Sequence, residues 1–305
     1  NNTELGDPAA ATHLDGVYVP RPRGFGSVFF DIARVEVNVG PQGTLRGRNA
    51  TAGSVNIISH KPGLGVFDAM AEIEYGNYDQ TVLEGMVNIP IGDDLAIRIA
   101  GYSLDHDSYY TNVGPTAREV GVAEAEDNLG VRAQILYEPN DSWSFLVGVD
   151  YVEENGTGYT GTNFANPLGN GIDPSEINRP RDVIARAFTP ILDTEHFGIK
   201  AQLDYHNEYF NVEYLASFRD LIYDYEAATP LSPNYPGVLD TLQPFEENFD
   251  NFSRFQSITD SESYIQELRF YSNEDQRLRW NAGGFYFKEN QSAFLGATGD
   301  RGLFF

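Results

Sequence analysis

Arginine is the residue whose type and spacing in this chain most plainly offer chemistry. Arg21 and Arg23 alternate with proline and glycine in "PRPRG" (residues 20–24), and Arg46 and Arg48 flank a glycine in "TLRGRN" (residues 44–49). A guanidinium presents its donors in a fixed fork, which suits carboxylate, phosphate or the oxygens of an anionic chelate. That chemistry is binding, and the signatures of catalysis are poor. "GFGSVF" (residues 24–29) lacks the last glycine of a dinucleotide loop, and no G-x-S-x-G, H-E-x-x-H or G-x-x-x-x-G-K-[ST] occurs. His13, His60, His106, His196 and His206 show no metal-ligand spacing. No enzymatic activity, metal or cofactor is therefore expected. Acidic stretches such as "EEN" at 153 and "DPSE" at 173 read as solvated loops, with calcium binding as the alternative.

Composition narrows the partners. Among 305 residues, 45 are acidic and 20 basic, a formal charge of -25 that argues against nucleic acid, because neutralising phosphates needs clustered Lys and Arg. The chain has no cysteine, which excludes disulfide frameworks, thiolate metal sites and cysteine nucleophiles. No window reaches the roughly 18 apolar residues of a spanning helix. The opening "NNTELGDPAA" has neither the basic nor the apolar stretch of a signal peptide. A chain of this length fits two ordinary domains or one large β architecture.

The elements that must position the arginines are strands. In "NLGVRAQILYEP", Leu129, Val131, Ala133, Ile135 and Tyr137 share one face, and Asn128, Gly130, Arg132, Gln134 and Glu138 the other. "WSFLVGVDY" (143–151) and "HFGIKAQLDYH" (196–206) repeat the design, with Asp150, Lys200, Gln202 and Asp204 on the polar face. Weaker alternation over 69–76, 81–90, 95–104, 210–223, 263–272 and 278–290 brings the expected number of strands to about nine. Tight polar turns ("IGDD", "PNDS", "HNEY", "NEDQR") alternate with long links near 105–127, 153–195 and 225–262, "GNYDQ" being a short exception on the long side. A membrane-spanning barrel has that asymmetry, with its apolar face toward lipid and its polar face toward the lumen. Aromatics flank the tight turns: Tyr137 with Trp143, Tyr205 with Phe210, Tyr271 with Trp280. They read as an interfacial girdle. A soluble β-sandwich would also alternate, but it rarely inserts such long links on one side only.

Residues 15–62, "DGVYVPRPRGFGSVFFDIARVEVNVGPQGTLRGRNATAGSVNIISHKP", closely resemble the second half of the plug domain of TonB-dependent outer-membrane receptors. The resemblance is carried by Asp15 to Tyr18, by Asp31 to Val37, and by Gly40 to Pro62, which follow the pattern G-P-Q-G-T-L-Y-G-R-N-A-T-x-G-x-I-N-I-I-T-x-K-P. Val39 and Arg46 depart from it, standing where members usually carry Arg and Tyr. The resemblance is clear over residues 7 to about 150 and then fades into general barrel character.

It implies an all-β transmembrane barrel with a small mixed plug domain inside the lumen: residues 1–66 the C-terminal part of the plug, residues 67–305 the N-terminal strands of the barrel. About nine strands are present of the roughly 22 expected for such transporters. An open edge at membrane depth would leave backbone groups unsatisfied, so further strands are expected after these, and the other half of the plug and the TonB-contacting segment before them. The implied function is energised import across the outer membrane of Gram-negative cells. A ferric siderophore is the leading substrate, and a vitamin or oligosaccharide the alternative. The implied partners are the inner-membrane TonB complex, the small-molecule substrate, and outer-membrane lipid with lipopolysaccharide. A passive porin or adhesion barrel would explain the strands but not residues 31–62, and a soluble secreted glycan-binding β-protein would partition into buffer without detergent.

Site expectations follow from that placement. Gly40, Gly43, Gly47 and Gly53 are expected at plug turns, where positive φ or close backbone approach is needed. Arg34, Glu36 and Arg48 are expected where plug meets polar wall, as a paired cluster. In the family the loop holding the residue before Gly-Arg-Asn and the loop after D-G-V-Y-V rise side by side toward the outside. Arg21, Arg23 and Arg46 are therefore expected to converge on an anionic substrate, the alternative being that they pair with acids of the wall and loops.

Overall fold

The computed structural model describes residues 8–23, 26–41, 51–112, 124–158, 183–184, 190–228 and 253–299. Four strands, β1 (Ala10–Leu14), β2 (Val17–Val19), β3 (Ile32–Val39) and β4 (Gly53–Ser59), form a small mixed sheet in the order β2-β1-β4-β3. β1 and β4 run parallel, while the β1/β2 and β3/β4 pairs are antiparallel. The chain then enters β5 (Asp68–Tyr75), β6 (Thr81–Ile91), β7 (Leu95–His106), β8 (Thr111–Asn112), β9 (Glu126–Asn140) and β10 (Trp143–Gly156). It ends in β11 (Val183–Ile184), β12 (Ile191–His206), β13 (Phe210–Ala228), β14 (Ser253–Ser272) and β15 (Asn281–Gly299). Apart from β8 and β11, which pair with each other, these form one nine-stranded antiparallel meander from β5 to β15. Among the described residues the nine strands expected from alternation are the nine strands of this wall.

The wall is inside-out relative to a soluble sheet. On β9, Leu129, Val131, Ile135 and Tyr137 are exposed, whereas Asn128, Arg132 and Gln134 are buried. β10 and β12 repeat this, with Val147, Val149, Phe197 and Ile199 outward and Asp150, His196 and Lys200 inward. Register carries the division across strands: Val147 pairs with Ile135 and Ala201, and Gly148 with Gln134 and Lys200. An apolar outer face over a buried polar inner face is the arrangement that lipid outside and polar contents inside require.

The aromatic girdle forms a continuous patch at two of the three expected turns; Tyr271, expected in it, shares the inward face of β14 with Ser263 and Ile265, because the outward residue at that end of the strand is Phe270. Trp143 lies 4.5 Å from Tyr205 and 5.8 Å from Phe145 between ring centroids, and Phe145 lies 6.2 Å from Tyr137. These rings sit at the tight-turn end. At the long-link end Phe197, Phe218 and Tyr264 make a second row, with centroid separations of 6.4 and 5.0 Å. Two residues beyond that row the same outward face turns acidic, at Glu195, Asp220 and Glu262.

The small sheet lies against the inner face. One apolar cluster joins Leu14, Val19, Val28, Phe30 and Ile57 to Ala100 and Val152 of the wall. A second joins Ala11, Val17 and Tyr18 to Leu215 and Ile265, with Phe287 packed alongside. These contacts make the small sheet a plug within the wall.

Candidate functional site

Two left-handed aspartates aim the plug at the wall. Asp15 (φ 50°) and Gly16 (φ 84°) make the tight turn between β1 and β2. The turn points the Asp15 carboxylate at Ser59, whose N–H and Oγ donate at 2.7 and 2.8 Å, and at Lys200 Nζ, 2.9 Å away. Gln134 Nε2 donates to the same Ser59 Oγ at 2.8 Å and to the His60 carbonyl at 3.2 Å. Burial alone would raise the Asp15 pKa, but the Lys200 charge and the Ser59 donors outweigh it and hold the carboxyl below its ordinary value.

Asp31 (φ 51°) opens β3 and accepts the Arg98 fork, Nε at 2.8 Å and Nη2 at 2.5 Å. Its N–H donates to Glu84 at 3.2 Å. Between these pairs Arg132 donates to the carbonyls of Phe30 (2.8 Å) and Val28 (3.2 Å), and its guanidinium lies 4.6 Å from the centre of the Phe30 ring. Each is a wall side chain satisfying plug backbone or plug carboxylate, as buried polar groups require. Gly130 makes room for this fit, since a Cβ there would stand 2.5 Å from Phe30 Cε1.

Residues 21–23 are held by four wall strands. Arg21, nine-tenths buried, donates through Nε to Glu289 at 3.0 Å and through Nη2 to Gln291 at 2.8 Å. Glu289 also accepts from Ser261 Oγ at 3.0 Å. The Arg23 guanidinium lies 5.1 Å from the Tyr223 ring centroid, and its Nη1 is 3.5 Å from Ser257 Oγ. The Arg23 carbonyl meets His196 Nε2 at 2.5 Å. A carbonyl can only accept, so that nitrogen carries the proton. Arg21 and Arg23 are thus brought into one loop anchored to β12, β13, β14 and β15. Arg46, the third of the set, lies outside the described residues.

The remaining site residues divide. Arg34 Nε donates to Glu36 at 2.8 Å, two residues along the same face of β3. Gly53 (φ 148°) passes so close to Asn38 that a Cβ would stand 2.2 Å from its carbonyl oxygen, and Gly40 has φ 95°. Arg48, Gly43 and Gly47 lie outside the described residues. Sequence reasoning did not single out Asp15, Asp31, Arg98, Gln134 or His196 as contacts. The available signal was Arg98 and Lys200 on lumen-facing positions, each a cation in need of a partner.

A strand wall with an apolar exterior, a polar interior and a small mixed sheet docked inside has the plug-and-barrel fold of TonB-dependent receptors. Solved structures bear out this fold. The chain is similar to the ferric yersiniabactin uptake receptor FyuA from Yersinia pestis, with a TM-score of 0.70 and 15% identity over 96% of this chain and 41% of that one. It is similar to the closed form of the ferric-catecholate import receptor Fiu from E. coli K12, with a TM-score of 0.70 and 16% identity over 95% of this chain and 40% of that one. It is also similar to the ferripyoverdine receptor of the outer membrane of Pseudomonas aeruginosa, with a TM-score of 0.68 and 14% identity over 94% of this chain and 37% of that one. The chain thus spans about two-fifths of the length of the first of these receptors. No family model matches the chain.

Proposed function

We propose that this protein takes part in TonB-dependent import of a ferric siderophore across the outer membrane of Gram-negative cells. The observation that carries the reading is the plug: a separate sheet seated in the lumen through the Asp15–Lys200 and Asp31–Arg98 pairs. A passive porin has no use for a stopper held by buried charge, whereas gated import needs one that can be displaced. That the solved receptors of similar fold are named for ferric yersiniabactin, ferric catecholates and ferripyoverdine supports iron chelates over vitamins or oligosaccharides. Uptake of a panel of labelled ferric chelates by cells with and without a working TonB complex is the test. Equal uptake without it refutes energised import; uptake of a vitamin or sugar and no chelate refutes the substrate.

In this reading Arg23 and Arg46 supply the guanidinium forks for an anionic chelate. Arg21, engaged by Glu289 and Gln291, sets the height of the loop. Arg46→Glu is expected to abolish uptake while the folded protein reaches the outer membrane in normal amount. Unchanged substrate affinity in that variant removes Arg46 from the site.

A further inference from the structure

The lipid-facing side of the wall is not uniformly covered. Where β5, β6, β7 and β9 run side by side, Gly85 pairs with Gly101, Ala71 lies beyond Gly85 and Val131 beyond Gly101. Ala71, Gly85, Gly101 and Ser103 floor a groove of about 480 Å³. Ile73 and Leu83 form one rim and Leu129 and Val131 the other, all four exposed on the outer face.

The fold does not require these two glycines. Neither has a positive φ. A Cβ at Gly85 would meet only the Met70 carbonyl oxygen at 3.4 Å, and one at Gly101 only the Gly130 carbonyl oxygen at 3.7 Å, both ordinary contacts. Gly130 and Gly198 differ, since a Cβ there would stand 2.5 Å from Phe30 and 2.8 Å from Asp150. Glycine inside a strand weakens it and often marks close approach by something outside the sheet. Here the outside is the apolar band.

We propose that this groove is a fixed seat for one acyl chain of a bilayer lipid, in the leaflet on the side of the long links. The groove is continuous with the lipid-facing band, so an acyl chain meets it without leaving the bilayer. Its level follows from register: Val131 pairs with Tyr151 at the level of the upper aromatics and Leu129 with Glu153 at the start of the acidic rim, on strands whose other ends carry Tyr137 and Trp143, so the groove lies at the upper edge of the apolar band. An unbranched chain fits between the two apolar rims and restores the contacts that the missing side chains forgo. The seat is independent of what the barrel transports.

Native mass spectrometry of the full-length protein, released from detergent containing dipalmitoyl phosphatidylglycerol, tests this. The unaltered protein should retain a lipid that Gly85→Val/Gly101→Val binds at least about tenfold more weakly. Ala133→Val, on the same face outside the groove, should bind as the unaltered protein does. Equal retention by the filled variant overturns the seat, as does an unaltered protein that retains no lipid. If the double variant fails to fold, Gly101→Val alone makes the comparison.

Discussion

Lys200→Ala should loosen the plug by about 3–5 kcal/mol, the usual cost of removing one partner from a buried ion pair. The size of the effect comes from what stays behind. Asp15 would remain largely buried against the wall, its side chain 11 % exposed, with the Ser59 donors and only the Arg132 charge beyond its hydrogen-bond shell. The wall keeps its own backbone ladder, so the loss falls on docking and not on the barrel. Because the chain has no cysteine, Ala11→Cys gives a unique thiol in this chain at a fully buried plug position packed against Leu215 and Ile265. Its labelling by a water-soluble reagent should accelerate by about a hundredfold or more in the Lys200→Ala background, since each 1.4 kcal/mol is about tenfold in population. Asp15→Asn with Lys200→Met should recover most of the protection, because a neutral pair carries no ionic desolvation cost. The lowered Asp15 pKa sets the pH sense: the pair contributes above the ordinary aspartate value of 3.8 and is lost as pH falls through the lowered one. Identical labelling in Lys200→Ala and the parent would refute the latch.

Much of this architecture was legible in the sequence, for a reason that also marks where legibility stops. Within the bilayer one face of every strand must be apolar, so β9, β10 and the lower half of β12 declare themselves by alternation. Beyond Phe218 and Tyr264 both faces meet polar surroundings, and that constraint lapses. β14 therefore begins at Ser253, ten residues before the alternation of 263–272 does, and β15 continues to Gly299 although its alternation fades near 290. The plug was legible through its motif, including Asp15 and Asp31. Their partners were not, because Lys200 and Arg98 lie 185 and 67 positions away and meet them only once sheet order and register bring both faces together.

Val147→Arg should cost about 2–4 kcal/mol of barrel stability in a bilayer, while Glu153→Arg should cost next to nothing. Both residues lie on β10 and face outward, so the difference isolates depth. Val147 stands midway between Trp143 of the lower girdle and Tyr151 at the level of the upper aromatics, a span of about 26 Å along the strand at roughly 3.3 Å per residue. An arginine there has no water within reach and no acid on neighbouring outward positions, which are Ile135 and Ala201. At Glu153 the cross-strand neighbour is Glu195, a like-charge pair that arginine would convert into an opposite-charge one. Denaturant unfolding of the full-length variants in vesicles gives both values. Equal costs at the two positions would mean that the apolar face is not the lipid face, and would undo the inside-out assignment of the whole wall.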